Sequence, residues 1–292
     1  MPIYAKSKPP ETLEEHNKKL LENYEKLKKF LDPEKIEKYD SVIKKILYYH
    51  DLGKINHKFQ NKLGLSGKVV IPELKDYNEI PHEWLSLAFI SREDKEYFNS
   101  LNYDNVHFFD LIQYCIAFHH TRAESFNKKA VEMTIHYDLE KNKDKIGINY
   151  PLNSDYDINK DIKQKIESQL NFKNYFELLV FLKGILHKCD YTASANIEIE
   201  VEYKGRYDDD FNNWLSKKKW NLKPFQHEAR NLRDKNIVLV ASTGLGKTEY
   251  SMNWIGGNKA FYLLGIRTAV NEMYRRFKTI FGNNVNLLHG EI

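Results

Sequence analysis

Apolar positions recur at helical spacing through most of the first two hundred residues. The spacing predicts helices over 11–31, 33–48, 81–91, 106–120, 158–170 and 172–190. Thr12, with Glu15 three residues on, forms a capping-box pattern at the start of the first, and Pro81 marks the start of the third. Two polar stretches, 61–80 and 138–157, read as long loops between them. Beyond Leu232 the period changes: IVLVASTGLGKTEYSMNWI at 237–255 reads as a β-branched strand, a glycine-containing loop and an apolar helix. The intervening 198–219, rich in Glu, Asp and Lys, reads as a linker. These patterns predict a mainly α domain over 1–200, a linker at 201–219 and part of an α/β lobe over 220–292.

Polar residues interrupt the apolar helices at their ends. His50 and Asp51 are adjacent in YYHDLGK, followed by Gly53 and Lys54. His82 opens PHEWLSLAF, whose Trp84, Leu85, Leu87, Ala88 and Phe89 supply a buried face. His119 and His120 close FFDLIQYCIAFHH, Asp190 lies late in FLKGILHKCDYTAS, and His16 sits near the start of the first helix. Buried imidazoles and carboxylates need partners, and metal ions are the economical partner for five imidazoles and two carboxylates. Adjacent helical side chains diverge by roughly 100°, so His50 and Asp51 suit a site of two ions in which the carboxylate bridges. The order reads as a di-metal phosphohydrolase.

The series H, HD with a following GK, H in HExxLS, HH and a late D resembles the HD nuclease domain of the CRISPR-associated nuclease-helicases of type I systems. It covers 1 to about 200 and continues downstream. The resemblance implies an HD-type helical domain in which His16, His50, Asp51 and Asp190 bind one divalent ion. His82, His119 and His120 would hold a second, with Asp51 bridging. Lys54 would neutralise a phosphate oxygen and, with Asp51, form the catalytic pair. The implied substrate is single-stranded DNA, presented by an RNA-guided surveillance complex. An imidazole-rich donor set favours Mn, Fe, Co or Ni over Mg. Phe59, Trp84 and Phe118 are candidates to stack bases.

The 237–255 segment has the strand, loop and helix context of a phosphate loop. Gly244, Gly246, Lys247 and Thr248 are placed to cradle ATP phosphates and Mg²⁺. Ala241 at the first glycine position is usual in superfamily 2 helicases, and KPFQHEAR resembles their adenine-reading segment, with Gln226 as reader. KAFYLLGIRTAVNEMYRRF looks like the next strand and DNA-contacting turn, with Gly265 where proline is usual, and NVNLLHGEI reads as a third strand. No acidic Walker B motif and no second lobe follow, so the segment reads as a partial RecA-like lobe without helicase activity of its own, whether of a truncated chain, a gene fragment or a remnant fused to an intact nuclease.

Composition narrows the picture a little further. A net charge of +4 and a pI near 8.7 tolerate a nucleic-acid partner without requiring one. Cys115 and Cys189 lie in apolar helical runs, which predicts buried reduced thiols. No stretch has the length of a membrane span or a signal core, so a cytoplasmic protein is expected. Three other readings stay open: an HD-type nucleotide phosphohydrolase, a metal-regulated binding module without turnover, and a nucleotide-binding adaptor.

Overall fold

The computed structural model describes residues 2–103, 106–120, 127–156, 168, 173–201 and 205–287. The chain divides into two compact units, Met1–Glu200 and Val201–Ile292. The expected helix at 158–170 lies outside the described residues except for Ser168, as does the end of the expected strand over 284–292.

The first unit is helical around one core. An antiparallel hairpin, β1 (Tyr4–Ser7) and β2 (Pro10–Thr12), leads directly into α1 (Leu13–Leu27). The helix pattern alone had placed the helix start at 11. Thr12 is instead the last strand residue and the cap: its hydroxyl accepts from the Glu15 N–H, while the Glu15 carboxylate accepts from the Thr12 N–H. The capping box read from the sequence is therefore present. Helix α2 (Pro33–Tyr49) begins with Asp32 as cap and proline in its first turn, and buries Ile36, Tyr39, Val42, Ile43, Ile46 and Leu47 at helical spacing. Further along come α3 (His57–Leu63), α4 (His82–Ser86), α5 (Arg92–Ser100), α6 (Phe108–Ala117), α7 (Lys128–Thr134), the short α8 (Glu140–Asn142) and the long α9 (Lys173–Ala195). Helix α1 packs on α9, and α2 and α6 pack on α9 as well.

Leu20, Tyr24, Ile46, Ile112, Leu182 and Leu186 meet in this core. Each such side chain contributes roughly 1.5–3 kcal/mol as an upper estimate. The expected long loop at 138–157 begins inside helix: Ile135–Leu139 is a π-helical turn continuous with α7, and α8 follows. Its buried Asp138 ties this turn to α3, since the carboxylate accepts from the His57 backbone N–H and faces the His57 ring at 2.8 Å. Cys115 and Cys189 are buried free thiols, and burial pushes both up to about 12. Among the described residues no helix is long and apolar enough to cross a membrane.

The second unit departs from the sequence expectation in two ways. The supposed linker carries helix α10 (Tyr207–Lys218), which buries Phe211, Trp214 and Leu215 against Met252 of α12 (Lys247–Ile255) and Ile280 and Phe281 of α13 (Arg267–Phe281). The expected sheet of a RecA-like lobe does not form among the described residues, where the only sheets are β1–β2 and the two-residue pair β3 (Asn102–Tyr103) with β4 (Val106–His107), both in the first unit. Residues 236–241 and 259–264 run without strand pairing, and Val238 and Val240 are each 92% exposed. The reason is physical: an isolated strand leaves its backbone groups unpaired and its side chains wet, and three or more strands or a covering helix are needed for stability.

Candidate metal centre

Five elements deliver the site. Helix α2 ends at Tyr49, and its cap His50 is still helical, but Asp51 has φ −113° and ψ 0°, outside the helix. That break swings the carboxylate beside the preceding imidazole, with Oδ2 3.4 Å from His50 Nε2. The expectation that the two diverge as on a regular helix is thus corrected by the backbone. Gly53 follows because α4 crosses there: a Cβ on it would lie 2.0 Å from the His82 carbonyl oxygen and 2.8 Å from the Ser86 nitrogen. Ser86 secures the crossing by accepting from the Gly53 N–H at 2.9 Å, with its hydroxyl 2.8 Å from the His50 carbonyl and 2.9 Å from that of His82. One glycine and one serine therefore fix the backbones of three proposed ligands.

All seven residues singled out in the sequence come together. His16, His50, Asp51 and Asp190 form one group, and Asp51, His82, His119 and His120 form another, the ligand atoms within each group lying within 4.8 Å of one another. Asp51 belongs to both. Its Oδ1 is 3.1 Å from His82 Nε2 and 3.7 Å from His119 Nε2, while its Oδ2 is 3.4 Å from His16 Nε2. Asp190 Oδ1 is 3.2 Å from His16 Nε2. The first group is wholly buried, whereas His82 and His120 of the second are half-buried.

Whether these residues suit metal ions is decided by their unsatisfied atoms. His16, His50, His82 and His119 each present a buried Nε2, and Asp51 a buried Oδ1, that makes no hydrogen bond of good geometry. Buried polar atoms are otherwise almost always paired, and here the orphans converge on one place. The opposite ring nitrogens are held: His50 Nδ1 lies 2.9 Å from the Leu47 carbonyl and His119 Nδ1 2.7 Å from that of Ile116. A proton on Nδ1 leaves Nε2 bare for a ligand. The donor set fits a pair of divalent ions.

Electrostatics point the same way for most members. Burial would raise the Asp51 carboxyl, but the charges of His50 and Lys54 and the facing ring nitrogens of His119 and His50 hold it well below the usual carboxylate range. Asp190 is likewise raised by burial yet brought to about 2, chiefly through His16. Burial, with the neighbouring His119 and His82, pushes His120 down to about 3, and burial lowers His82 against the pull of Asp51. His50 goes the other way, its burial outweighed by the Asp51 carboxylate.

Lys54 does not reach outward as its spacing suggested. Its Nζ lies 2.5 Å from Asp51 Oδ2 and sits over the Phe59 ring. Of the three candidate stacking rings, Phe59 stands at the site, 5.4 Å from the His82 ring, and Phe118 packs against Tyr114. Trp84 is buried in the core. Sequence reading missed Glu11, a buried carboxylate on β2 whose Oε1 is 3.0 Å from His16 Nδ1 and whose other oxygen pairs with Lys19 and Lys6. Burial raises Glu11, but these lysines and His16 outweigh it and bring it to about 2. Its only signal was a glutamate five residues before a histidine.

In the second unit, Gly244 and Gly246 take positive φ of 81° and 90°, and Thr248 follows Lys247 in the first turn of α12. The Lys247 ammonium donates to the Ala241 and Ser242 carbonyls of the loop. Gln226, on α11 (Pro224–Glu228), is buried and donates to the Gly246 carbonyl at 2.7 Å. The five proposed nucleotide-site residues are thus adjacent.

Residues 11–197 match the family model described as Cas3, HD domain. Among curated proteins the chain is 32% identical over 120 residues to the CRISPR-associated nuclease/helicase Cas3 of Methanothermobacter thermautotrophicus, covering 38% of this chain and 14% of that protein. It is 30% identical over 148 residues to the putative CRISPR-associated nuclease/helicase Cas3 of Methanocaldococcus jannaschii, covering 43% of this chain and 20% of that protein. The matched part is therefore a fifth or less of each relative's length. No solved structure matches the chain. With two His/Asp groups sharing Asp51 and a family match across nearly all of the first unit, the chain belongs to the Cas3 HD-domain family.

Proposed function

We propose that the first unit is a metal-dependent nuclease that hydrolyses phosphodiester bonds of single-stranded DNA in CRISPR type I interference. In the cell, the RNA-guided surveillance complex would present that strand. The observation that carries this reading is the sharing of Asp51 between two convergent histidine groups, in which Nε2 of His16, His50, His82 and His119 makes no hydrogen bond of good geometry. Two divalent ions, when bound, would supply Lewis acidity for activating a water nucleophile and stabilising the departing oxygen.

The chain's own residues divide the remaining work. His16, His50, Asp51 and Asp190 would hold one ion, and Asp51, His82, His119 and His120 would hold the second. Because His82 and His120 are half-buried while the first group is sealed, the scissile phosphate approaches from the side of the second group. Phe59 beside His82 offers a ring face to a base on that side. Lys54 balances the charge of Asp51 and would neutralise a phosphate oxygen of the bound strand. Residues 220–292 are read as part of an ATP-binding helicase lobe, with Gln226 near the adenine and Gly244, Gly246, Lys247 and Thr248 at the phosphates and Mg²⁺. Adjacency of Gln226 to the loop supports that reading.

The test is cleavage of circular single-stranded DNA by EDTA-stripped protein given back single metals, beside hydrolysis of dNTPs. We expect cutting with Mn²⁺, Co²⁺ or Ni²⁺ to exceed cutting with Mg²⁺, because five of seven donors are imidazoles. Preference for dNTPs would make this a nucleotide phosphohydrolase, and turnover of neither substrate would make it a binding module.

A further inference from the structure

The four imidazoles that aim Nε2 into the centre are held from behind in two ways. His50 and His119 rest on backbone carbonyls of their own helices. His82 has the buried Glu83 carboxylate 3.4 Å from Nδ1, and His16 has Glu11 at 3.0 Å. Glu11 differs from the others in origin: it comes from β2, outside the helices, and it is buried although ionised. Lys19 at 2.6 Å and Lys6 at 3.0 Å compensate its second oxygen. Lys6 also donates to the Ser194 carbonyl, and the Ser194 hydroxyl faces Asp190 Oδ1 at 3.3 Å. The hairpin thus reaches both His16 and Asp190, two members of the sealed group, and touches Asp51 through His16.

We propose that Glu11 is a positioning residue for the sealed metal site. Its carboxylate keeps the His16 proton on Nδ1, orients Nε2 toward Asp51 and Asp190, and raises the basicity of that ligand, so that it sets the affinity for one ion of the pair. Carboxylates behind metal-binding histidines act in this way, and their removal typically costs about 10- to 100-fold in metal affinity. The inference rests on the proposed occupation of both groups by divalent ions, but it does not depend on the substrate.

Mn²⁺ titration of the 292-residue chain, followed by equilibrium dialysis and electron paramagnetic resonance, tests it directly. Wild type should take two ions that show the spectrum of a coupled pair. Glu11→Ala should lose affinity about 10- to 100-fold at one site only, giving the six-line spectrum of an isolated ion at Mn²⁺ concentrations that fill both wild-type sites. Glu11→Gln keeps an oxygen that can accept from Nδ1 but not the charge, and should recover part of the loss; being isosteric, it serves where the alanine variant is unstable. Lys19→Ala, which leaves the Glu11–His16 contact in place, should retain both ions. Equal weakening of both sites, or two ions bound by Glu11→Ala and Glu11→Gln at wild-type affinity, would overturn the proposal. A wild-type protein that binds two ions without cutting DNA would instead defeat the nuclease reading and leave this one standing.

Discussion

Leu186 in the first unit is 1% exposed, and Leu263 in the second is 86% exposed. Both lie in apolar runs that predict burial, yet only one run finds its partners. A helix satisfies its own backbone and needs only a face to pack against, and α1, α2 and α6 provide that face for α9. A strand needs a neighbour for its backbone as well, and among the described residues 236–241 and 259–264 have none. The difference extends to chemistry. In the first unit the packed helices bring seven proposed ligands, spread from His16 to Asp190, to one place; in the second, the residues of the proposed phosphate loop are adjacent through local contacts, Gln226 excepted.

The steepest way to break this contrast is at Gly53. Gly53→Ala forces α4 away from the turn that carries Asp51, so it should cost on the order of 3 kcal/mol and abolish binding of both ions. Urea unfolding and metal analysis would check it; near-wild-type stability with two bound ions would mean that the close crossing is not what holds the site. Next come the leucines themselves. Leu186→Ala should cost about 2–5 kcal/mol, and Leu263→Ala less than about 0.5 kcal/mol. Comparable losses in thermal or urea unfolding would show that 259–264 is packed.

A smaller effect sits at the surface of the first unit. Asp40 is engaged by Lys28, Lys44 and the Tyr24 hydroxyl, which outweigh its burial and bring it to about 2. Its folded value lies below the unfolded value of about 3.9, so its contribution is complete above the unfolded value and is lost as the pH falls through about 4 to 2. Asp40→Asn should therefore cost on the order of 1 kcal/mol near neutrality, after allowance for partial exposure, and nothing near pH 2. A constant difference across that range in acid unfolding would contradict the pairing. The smallest expected effect is that of Lys247→Ala on cutting: none in the absence of ATP, since Lys247 bonds the Ala241 and Ser242 carbonyls of its own loop. Loss of ATP-free cleavage with intact circular dichroism would mean that the two units are coupled.

Much of the metal centre was legible in the sequence because its residues stand at the ends of apolar helices, where a buried polar group has few explanations. Motif order tied His16, His82 and Asp190 to the rest, since each alone also reads as an ordinary surface, helix-start or capping residue. What could not be read was geometry set by backbone and by neighbours. The departure of Asp51 from the helix, the need for glycine at 53 and the Ser86 tie all depend on α4 crossing the turn, a contact between residues some thirty positions apart. Glu11 was invisible because β2 is three residues long and lies against a helix pattern that absorbs it. Downstream, β-branched residues led to strands that do not form among the described residues, because a local preference contains no information on what would pair with it.

The central claim is that Asp51 serves both ions, and metal stoichiometry of Asp51→Ala beside His120→Ala tests it most directly. After dialysis against Mn²⁺ and removal of loose metal, the account expects two ions per chain in wild type, none in Asp51→Ala, and one in His120→Ala, restored to two by excess metal. Two ions retained by folded Asp51→Ala would contradict it.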